Sequence, residues 1–115
     1  MLHITPEMAR SAYEYLRTCP PFRRWHLPDP NKIEWIVTGR RDAMAWCRID
    51  KPYQIRISQP RITNTQSLIE SMAHEMIHLR QALIGQRTDT INHGKKFKKL
   101  ADSVCRKHGF NRDYF

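Results

Sequence analysis

The run of residues 65–84 constrains the fold of this chain more than any other stretch. Large apolar side chains recur along it at steps of three and four residues: Leu68, Met72, Met76, Leu79 and Leu83. This period is typical of an amphipathic α-helix with one face turned towards a core. Asn64 or Thr65 is suited to cap the start of the helix, and Gly85 is suited to end it. The pattern therefore predicts a helix of about five turns.

The interior of this predicted helix contains the motif H-E-x-x-H, formed by His74, Glu75 and His78. Residues four apart lie on one face of a helix, with Cβ atoms about 5–6 Å apart, so both imidazoles can bind one zinc ion. Glu75 is turned about 100° around the helix from His74, which suits it to hold a water molecule at the metal. This arrangement is typical of metalloproteases. The alternative is that all three residues are ordinary polar residues on a helix surface.

A catalytic zinc ion usually has three protein ligands and keeps a fourth position for water. The candidates for the third ligand after His78 are Asp89, His93, Asp102, His108 and Asp113. We favour His93, because the polar loop before it is long enough to fold back and Gly94 lets the backbone approach closely. Asp102 is the rival, although the apolar stripe of the last helix places it on the polar face. The alternative for His93 is an ordinary polar residue in the first turn of that helix.

The chain before residue 60 predicts one helix followed by three strands. Thr5 and Pro6 have the chemistry of an N-cap and a first helical position, and Pro20 ends that helix. Three runs rich in strand-forming residues follow, separated by turn residues: 33–37, 43–49 and 53–58. The short connections favour a three-stranded antiparallel meander.

The cleanest helical stripe lies near the end of the sequence. Its apolar face consists of Phe97, Leu100, Ala101, Val104, Cys105 and His108. Gly109 is suited to end this helix. The predicted order of helix, three strands, motif helix and last helix belongs to the α+β class.

The chain has 115 residues, a length that suits one domain, and 20 Lys and Arg against 11 Asp and Glu, a net charge of +9. Such a surplus favours polyanions such as nucleic acid. Four lysines lie on the polar face of the last helix and form the candidate surface for non-specific nucleic-acid binding: Lys95, Lys96, Lys98 and Lys99. The alternative is a solvated cationic face. Phe22 and Trp25, near Arg23 and Arg24, are either stacking residues or core anchors.

The remaining sequence features concern the setting of the protein. The three cysteines, Cys19, Cys47 and Cys105, contain no C-x-x-C pair and predict no disulfide framework. No apolar run reaches 18 residues, and the first residues lack a signal-peptide core. We expect an intracellular monomer, cytoplasmic or associated with the nucleoid or nucleus, that is not secreted and has no membrane partner.

The run Tyr53-Gln54-Ile55-Arg56-Ile57-Ser58, the helix with H-E-x-x-H, and His93-Gly94-Lys95-Lys96-Phe97 together resemble the SprT-like (Spartan-related) family of zinc metallopeptidases, which includes a protease of DNA–protein crosslinks. The resemblance implies a minimal zincin-like fold. It implies a Zn²⁺ ion bound by His74, His78 and His93, with Glu75 as the catalytic residue. Many relatives continue into a Cys-rich zinc ribbon. The expectation here is one SprT-like domain over residues 1–115 with no such ribbon.

These features lead to the hypothesis of a zinc metalloendopeptidase whose protein substrates include DNA-bound or DNA-crosslinked proteins. The alternative is a non-catalytic zinc-containing nucleic-acid-binding or interaction module. The strand at 53–58 is a candidate edge for an extended substrate. Arg61 and Arg80 are candidates for a second donor to the oxyanion, and the alternative for both is a surface salt bridge.

Overall fold

The computed structural model describes residues 3–39, 46–48, 53–85 and 94–115. The described helices are α1 (Pro6–Arg17), α2 (Thr65–Leu83) and α3 (Lys95–His108). The described strands are β1 (Ile33–Thr38), β2 (Trp46–Arg48) and β3 (Tyr53–Ser58). Short 3₁₀ turns lie at Phe22–Arg24, Pro30–Lys32, Gln59–Arg61 and Arg112–Tyr114. This composition fits the predicted α+β class.

The starts of α1 and α2 and the ends of α2 and α3 lie at the residues whose local chemistry predicts them, whereas α1 ends at Arg17, before the predicted end at Pro20. The Thr5 side chain accepts a hydrogen bond from the backbone N–H of Met8 at the start of α1. Asn64 and Ser67 form a reciprocal capping box at the start of α2. Gly85 and Gly109 follow α2 and α3 with φ of 78° and 71°, a conformation that favours glycine.

The prediction of a three-stranded antiparallel meander is wrong. The strand order is β1-β3-β2, and β1 pairs with β3 in parallel along all six residues from Ile33 with Tyr53 to Thr38 with Ser58. Only β2 is antiparallel to β3, from Trp46 with Arg56 to Arg48 with Gln54. The central strand β3 is more buried than β1, with Ile55 and Ile57 at 1% and 0% exposure.

The central place of β3 also corrects the expected substrate edge. β3 is paired on both sides, so its backbone groups there bond to neighbouring strands rather than to an added peptide. Among the described strands, β1 and β2 lie at the outside of the sheet. β1 contacts α1, and β2 contacts α2.

The core lies between the helices and the inner face of the sheet. Its largest fully buried apolar side chains come from α1, β3, α2, α3 and the segments that connect them: Tyr13, Leu16, Phe22, Ile55, Ile57, Ile62, Met72, Met76, Ile77, Leu79 and Phe97. Phe22 and Trp25 are buried and in edge-to-face contact, with ring centroids 4.9 Å apart. They are core anchors, so the interpretation of these two rings as base-stacking residues is wrong. Within the described residues, none of the helices has the length and apolar character needed to cross a membrane.

Candidate metal centre

α2 brings His74 and His78 together in its middle, as their four-residue spacing predicts. Both residues are half-buried, and their Nε2 atoms are 3.1 Å apart. Two nitrogens that each lie about 2.0–2.1 Å from one tetrahedral zinc ion are separated by about 3.3–3.4 Å. The pair therefore fits two adjacent ligand positions of a zinc ion with little movement of either ring.

Two aromatic rings pack against this pair of imidazoles. The fully buried ring of Phe97, in the first turn of α3, lies 5.2 Å from the His74 ring and 4.7 Å from the His78 ring, measured between centroids. The Phe115 ring lies 5.7 Å from the His74 ring. These contacts restrict the orientations of both imidazoles, and apolar surroundings strengthen electrostatic interactions at the Nε2 atoms.

Glu75, between the two histidines in sequence, is only 2% exposed. Its Oε1 atom has no hydrogen-bond partner among the described residues. Burial disfavours the charged carboxylate and raises the pKa of Glu75 to about 8 in the absence of a metal. A buried carboxyl group with an unsatisfied oxygen is costly unless a further polar group or a cation is present. The two imidazole nitrogens are donors of the kind that bind a divalent cation, and the buried carboxyl group of Glu75 lies between them in sequence.

The predicted third ligand, His93, lies outside the described residues, as does Asp89. The described part of the chain contains no group of three or more His, Cys, Asp or Glu side chains able to hold a metal ion. α3 begins at Lys95 with Gly94 as its N-cap, so His93 precedes the helix rather than lying in its first turn. Phe97 follows His93 by four residues and contacts both imidazoles. His93 therefore stays a prediction.

The structure places the other three candidates elsewhere. The Asp102 carboxylate accepts a hydrogen bond from Arg112 Nε at 2.6 Å and is 63% exposed. His108 Nε2 is 2.7 Å from the backbone oxygen of Pro20. Asp113 is exposed in the 3₁₀ turn after α3. The polar-face position predicted for Asp102 is confirmed.

The two arginines considered as oxyanion donors have different outcomes. Arg80 Nη1 donates to the backbone oxygen of Trp25 at 2.9 Å, and its guanidinium carbon lies 6.0 Å from the centre of the Trp25 ring. Arg80 thus ties α2 to the segment after α1, which is neither an oxyanion contact nor a salt bridge. The Arg61 side chain lies outside the described part of the structure.

Comparison with models of known protein families matches residues 21–114, which include β1 to β3, α2 and α3, to the SprT-like family. The chain belongs to the SprT-like family. The resemblance seen in the sequence is thereby confirmed. No curated protein and no solved structure gives a significant match. The SprT-like match contains His74, Glu75 and His78 and also includes residue 93.

Two residues near this SprT-like site escaped the sequence analysis. Glu70 is 93% buried on α2, and its Oε2 accepts a hydrogen bond from the backbone N–H of Asn111 at 3.1 Å. Its position four residues before His74 places both on one face of the helix, a spacing that could have drawn attention to it. Phe115 lies 41 residues after His74, and no local signal predicts their contact.

Proposed function

We propose that this SprT-like chain is a zinc-dependent metallopeptidase that hydrolyses peptide bonds. The observation that supports this most strongly is the pair of Nε2 atoms of His74 and His78, 3.1 Å apart on one helix with the buried Glu75 between them in sequence. Its occurrence within a SprT-like match over residues 21–114 adds the family's general association with zinc.

In this proposal, His74, His78 and His93 hold the zinc ion. When bound, the ion supplies an acidified water molecule and polarises the carbonyl group of the scissile peptide bond. Two rigidly placed imidazoles on α2 reduce the cost of ordering the site, because their helix and the Phe97 ring already restrict them. His93, two residues before the start of α3, would complete the set.

Glu75 is the general base of the proposed reaction. Its carboxylate takes a proton from the attacking water as the new C–O bond forms, and it passes that proton to the amine nitrogen as the C–N bond breaks. A carboxyl group with a pKa raised to about 8 exchanges protons near neutral pH. A bound cation opposes this rise, because its positive charge favours the carboxylate.

An extended protein substrate would lie along β2. This strand is on the outside of the described sheet and contacts α2, the helix of the two histidines. Strand addition to such an edge provides main-chain hydrogen bonds regardless of the substrate's side chains. That mode of binding suits a peptidase with varied protein substrates.

The nucleic-acid surface of the proposal is the exposed face of α3. Lys95, Lys96, Lys98 and Lys99 are all exposed there, on the helix whose Phe97 contacts the histidine pair. Phosphate groups bound to these lysines would hold DNA-bound or DNA-crosslinked proteins close to the site. The absence of acidic residues in the first turn of α3 favours anions at this end of the helix.

The test is protein cleavage by zinc-loaded wild type and Glu75→Gln, with zinc content measured for both and single-stranded DNA present or absent. We expect equal zinc content and a loss of cleavage of at least about a hundredfold in Glu75→Gln. Equal cleavage by both proteins would remove Glu75 from the mechanism. Zinc binding without cleavage by either protein would favour the non-catalytic interaction module.

A further inference from the structure

The segment after α3 returns to α2 and reaches one of the two histidines. It passes Glu70, whose carboxylate accepts the backbone N–H of Asn111, and it ends its return with the Phe115 ring 5.7 Å from the His74 ring. The His74 ring therefore contacts two aromatic rings, Phe97 of α3 and Phe115 of this returning segment. Neither Phe97 nor Phe115 belongs to the H-E-x-x-H motif, so the motif alone does not predict these contacts.

Glu70 fixes the beginning of the returning segment. It lies one turn before His74 on α2, and its side chain is 7% exposed. A buried carboxylate is costly without hydrogen bonds, so the 3.1 Å contact with the Asn111 N–H has a clear physical reason. Loss of this acceptor would leave the Asn111 N–H to find another partner and would loosen the segment from α2.

Arg112 fixes the middle of the segment to α3. Its Nε donates to Asp102 Oδ1 at 2.6 Å, and its Nη2 donates to the Lys98 carbonyl oxygen at 3.5 Å. The Asn111 side chain accepts a hydrogen bond from the Asp113 N–H at 3.0 Å and shapes the turn between them. The segment is thus held on both helices before it reaches Phe115.

The Phe115 ring also packs against one ring of a second, stacked pair. It stacks on Phe110 with a centroid distance of 6.0 Å and an interplanar angle of 13°, and Phe110 stacks on His108 at 5.0 Å. A ring held in this way limits the rotation of the imidazole that it contacts. Hydrogen-bond partners that orient a metal-binding histidine commonly contribute 10- to 100-fold, or about 1–3 kcal/mol, to metal affinity, and we take this as the scale for a packing contact with the same effect.

We propose that Phe115 is a positioning residue for His74, and that Glu70 acts through it by holding the returning segment on α2. The inference rests on the proposed function in one respect, namely that His74 binds zinc. Its basis is the juxtaposition of Glu70, Asn111, Phe115 and His74, which the family match does not assign.

The test measures the zinc Kd of the full chain by competition with a chromophoric chelator, and the stability of the metal-free chain by urea unfolding. Phe115→Ala is expected to weaken zinc binding by about 10- to 100-fold, and Phe115→Tyr, which keeps the ring, by no more than about threefold. Should Phe115→Ala fail to fold, Phe115→Leu keeps apolar volume without the ring and is expected to weaken binding by about tenfold.

The matched control is Met8→Ala, which removes a half-buried apolar side chain on α1. It should lower the free energy of unfolding and leave the zinc Kd unchanged. A zinc Kd of Phe115→Ala within about threefold of wild type would overturn the proposal. This outcome would leave the proposed peptidase function standing, since zinc and cleavage would both persist.

Glu70 is tested by a double-mutant cycle. As a single variant, Glu70→Ala should weaken zinc binding, and it should have little further effect when combined with Phe115→Ala. Glu70→Gln, which keeps an acceptor oxygen, should have a zinc Kd close to that of the wild type. Full additivity of the two alanine variants would overturn the role assigned to Glu70. Absence of zinc binding by the wild type would overturn both the proposed function and this inference, whereas zinc binding with the expected Phe115 effect but no proteolysis would overturn the function alone.

Discussion

The Nε2 atoms of His74 and His78 face each other across 3.1 Å on successive turns of α2. Two imidazole nitrogens at this distance either share a hydrogen bond or bind a common cation, and both states need the same ring orientations. The helix and the Phe97 ring therefore prepare the pair before any metal arrives. If the pair binds zinc as proposed, folding has already fixed most of the side-chain freedom that these two ligands would otherwise lose on binding.

Replacement of His78 should remove zinc binding with little loss of the fold. We expect His78→Ala to raise the zinc Kd by at least about a hundredfold, because even the loss of a residue that only orients a ligand lowers metal affinity by about 10–100-fold. Chelator competition measures the change. His3→Ala, at an exposed position near the start of the chain, is the matched control and should keep wild-type affinity. Equal zinc affinity of His78→Ala and wild type would exclude His78 as a ligand.

The lysines of α3 should contribute to binding of single-stranded DNA through phosphate contacts. For a double variant, Lys96→Ala with Lys99→Ala, we expect the slope of log K against log salt to become shallower by about 0.7 for each lysine that contacts a phosphate. Fluorescence anisotropy across a salt series measures this slope. The control is Arg24→Ala with Lys32→Ala, which removes the same charge at exposed positions outside α3. Equal changes in both variants would mean that net charge alone drives binding.

The capping box at the start of α2 should stabilise the helix of the candidate site. The Asn64 side-chain oxygen accepts a hydrogen bond from the Ser67 backbone N–H at 2.8 Å, and the Asn64 backbone N–H donates to the Ser67 hydroxyl oxygen at 3.1 Å. Asn64→Ala should lower the free energy of unfolding by about 1 kcal/mol, and Asn64→Ser should restore most of it. Urea unfolding of the metal-free proteins provides the comparison. A loss of the same size in Asn64→Ser would show that the cap is not the cause.

Because of the buried Tyr13 phenol, the free energy of unfolding should fall at high pH. Burial raises the pKa of this phenol well above its usual value near 10, and its hydroxyl donates to the Pro28 carbonyl oxygen at 2.5 Å. Its contribution is fully present below about pH 10 and falls by about 1.4 kcal/mol per pH unit above it, because only the unfolded chain ionises there.

Tyr13→Phe isolates this effect, since it keeps the ring and removes the hydroxyl. The variant should be less stable than wild type by about 1 kcal/mol at pH 8, where the hydrogen bond is lost. The two proteins should converge in free energy of unfolding between pH 10 and 11. A constant difference across that range would show that Tyr13 does not stay protonated in the fold.

Local chemistry explains why the helices are predictable from the sequence. Asn64 at the start of α2, Gly85 after it and Gly109 after α3 act through backbone geometry within one turn. The pair of His74 and His78 is predictable for the same reason, because a four-residue spacing on a helix fixes their relative position.

Strand order and the surroundings of the site depend on contacts distant in sequence. All three strand segments are rich in strand-forming residues, so the sequence does not indicate which one is central. β3 is central because it pairs with both β1 and β2. The Glu70 and Asn111 contact joins residues 41 positions apart, and no periodicity in either segment indicates it. The sequence thus predicts two ligands and a base on one helix but not the aromatic and acidic residues around them.

X-ray absorption spectroscopy at the zinc edge tests the central claim most directly, applied to the zinc-loaded wild type and to His93→Ala. We expect three imidazole nitrogens and one oxygen at about 2.0–2.1 Å from zinc in the wild type, and two imidazoles with additional oxygen in the variant. Three imidazoles in both proteins would contradict His93 as the third ligand. A sulfur atom at about 2.3 Å would contradict the all-histidine set altogether.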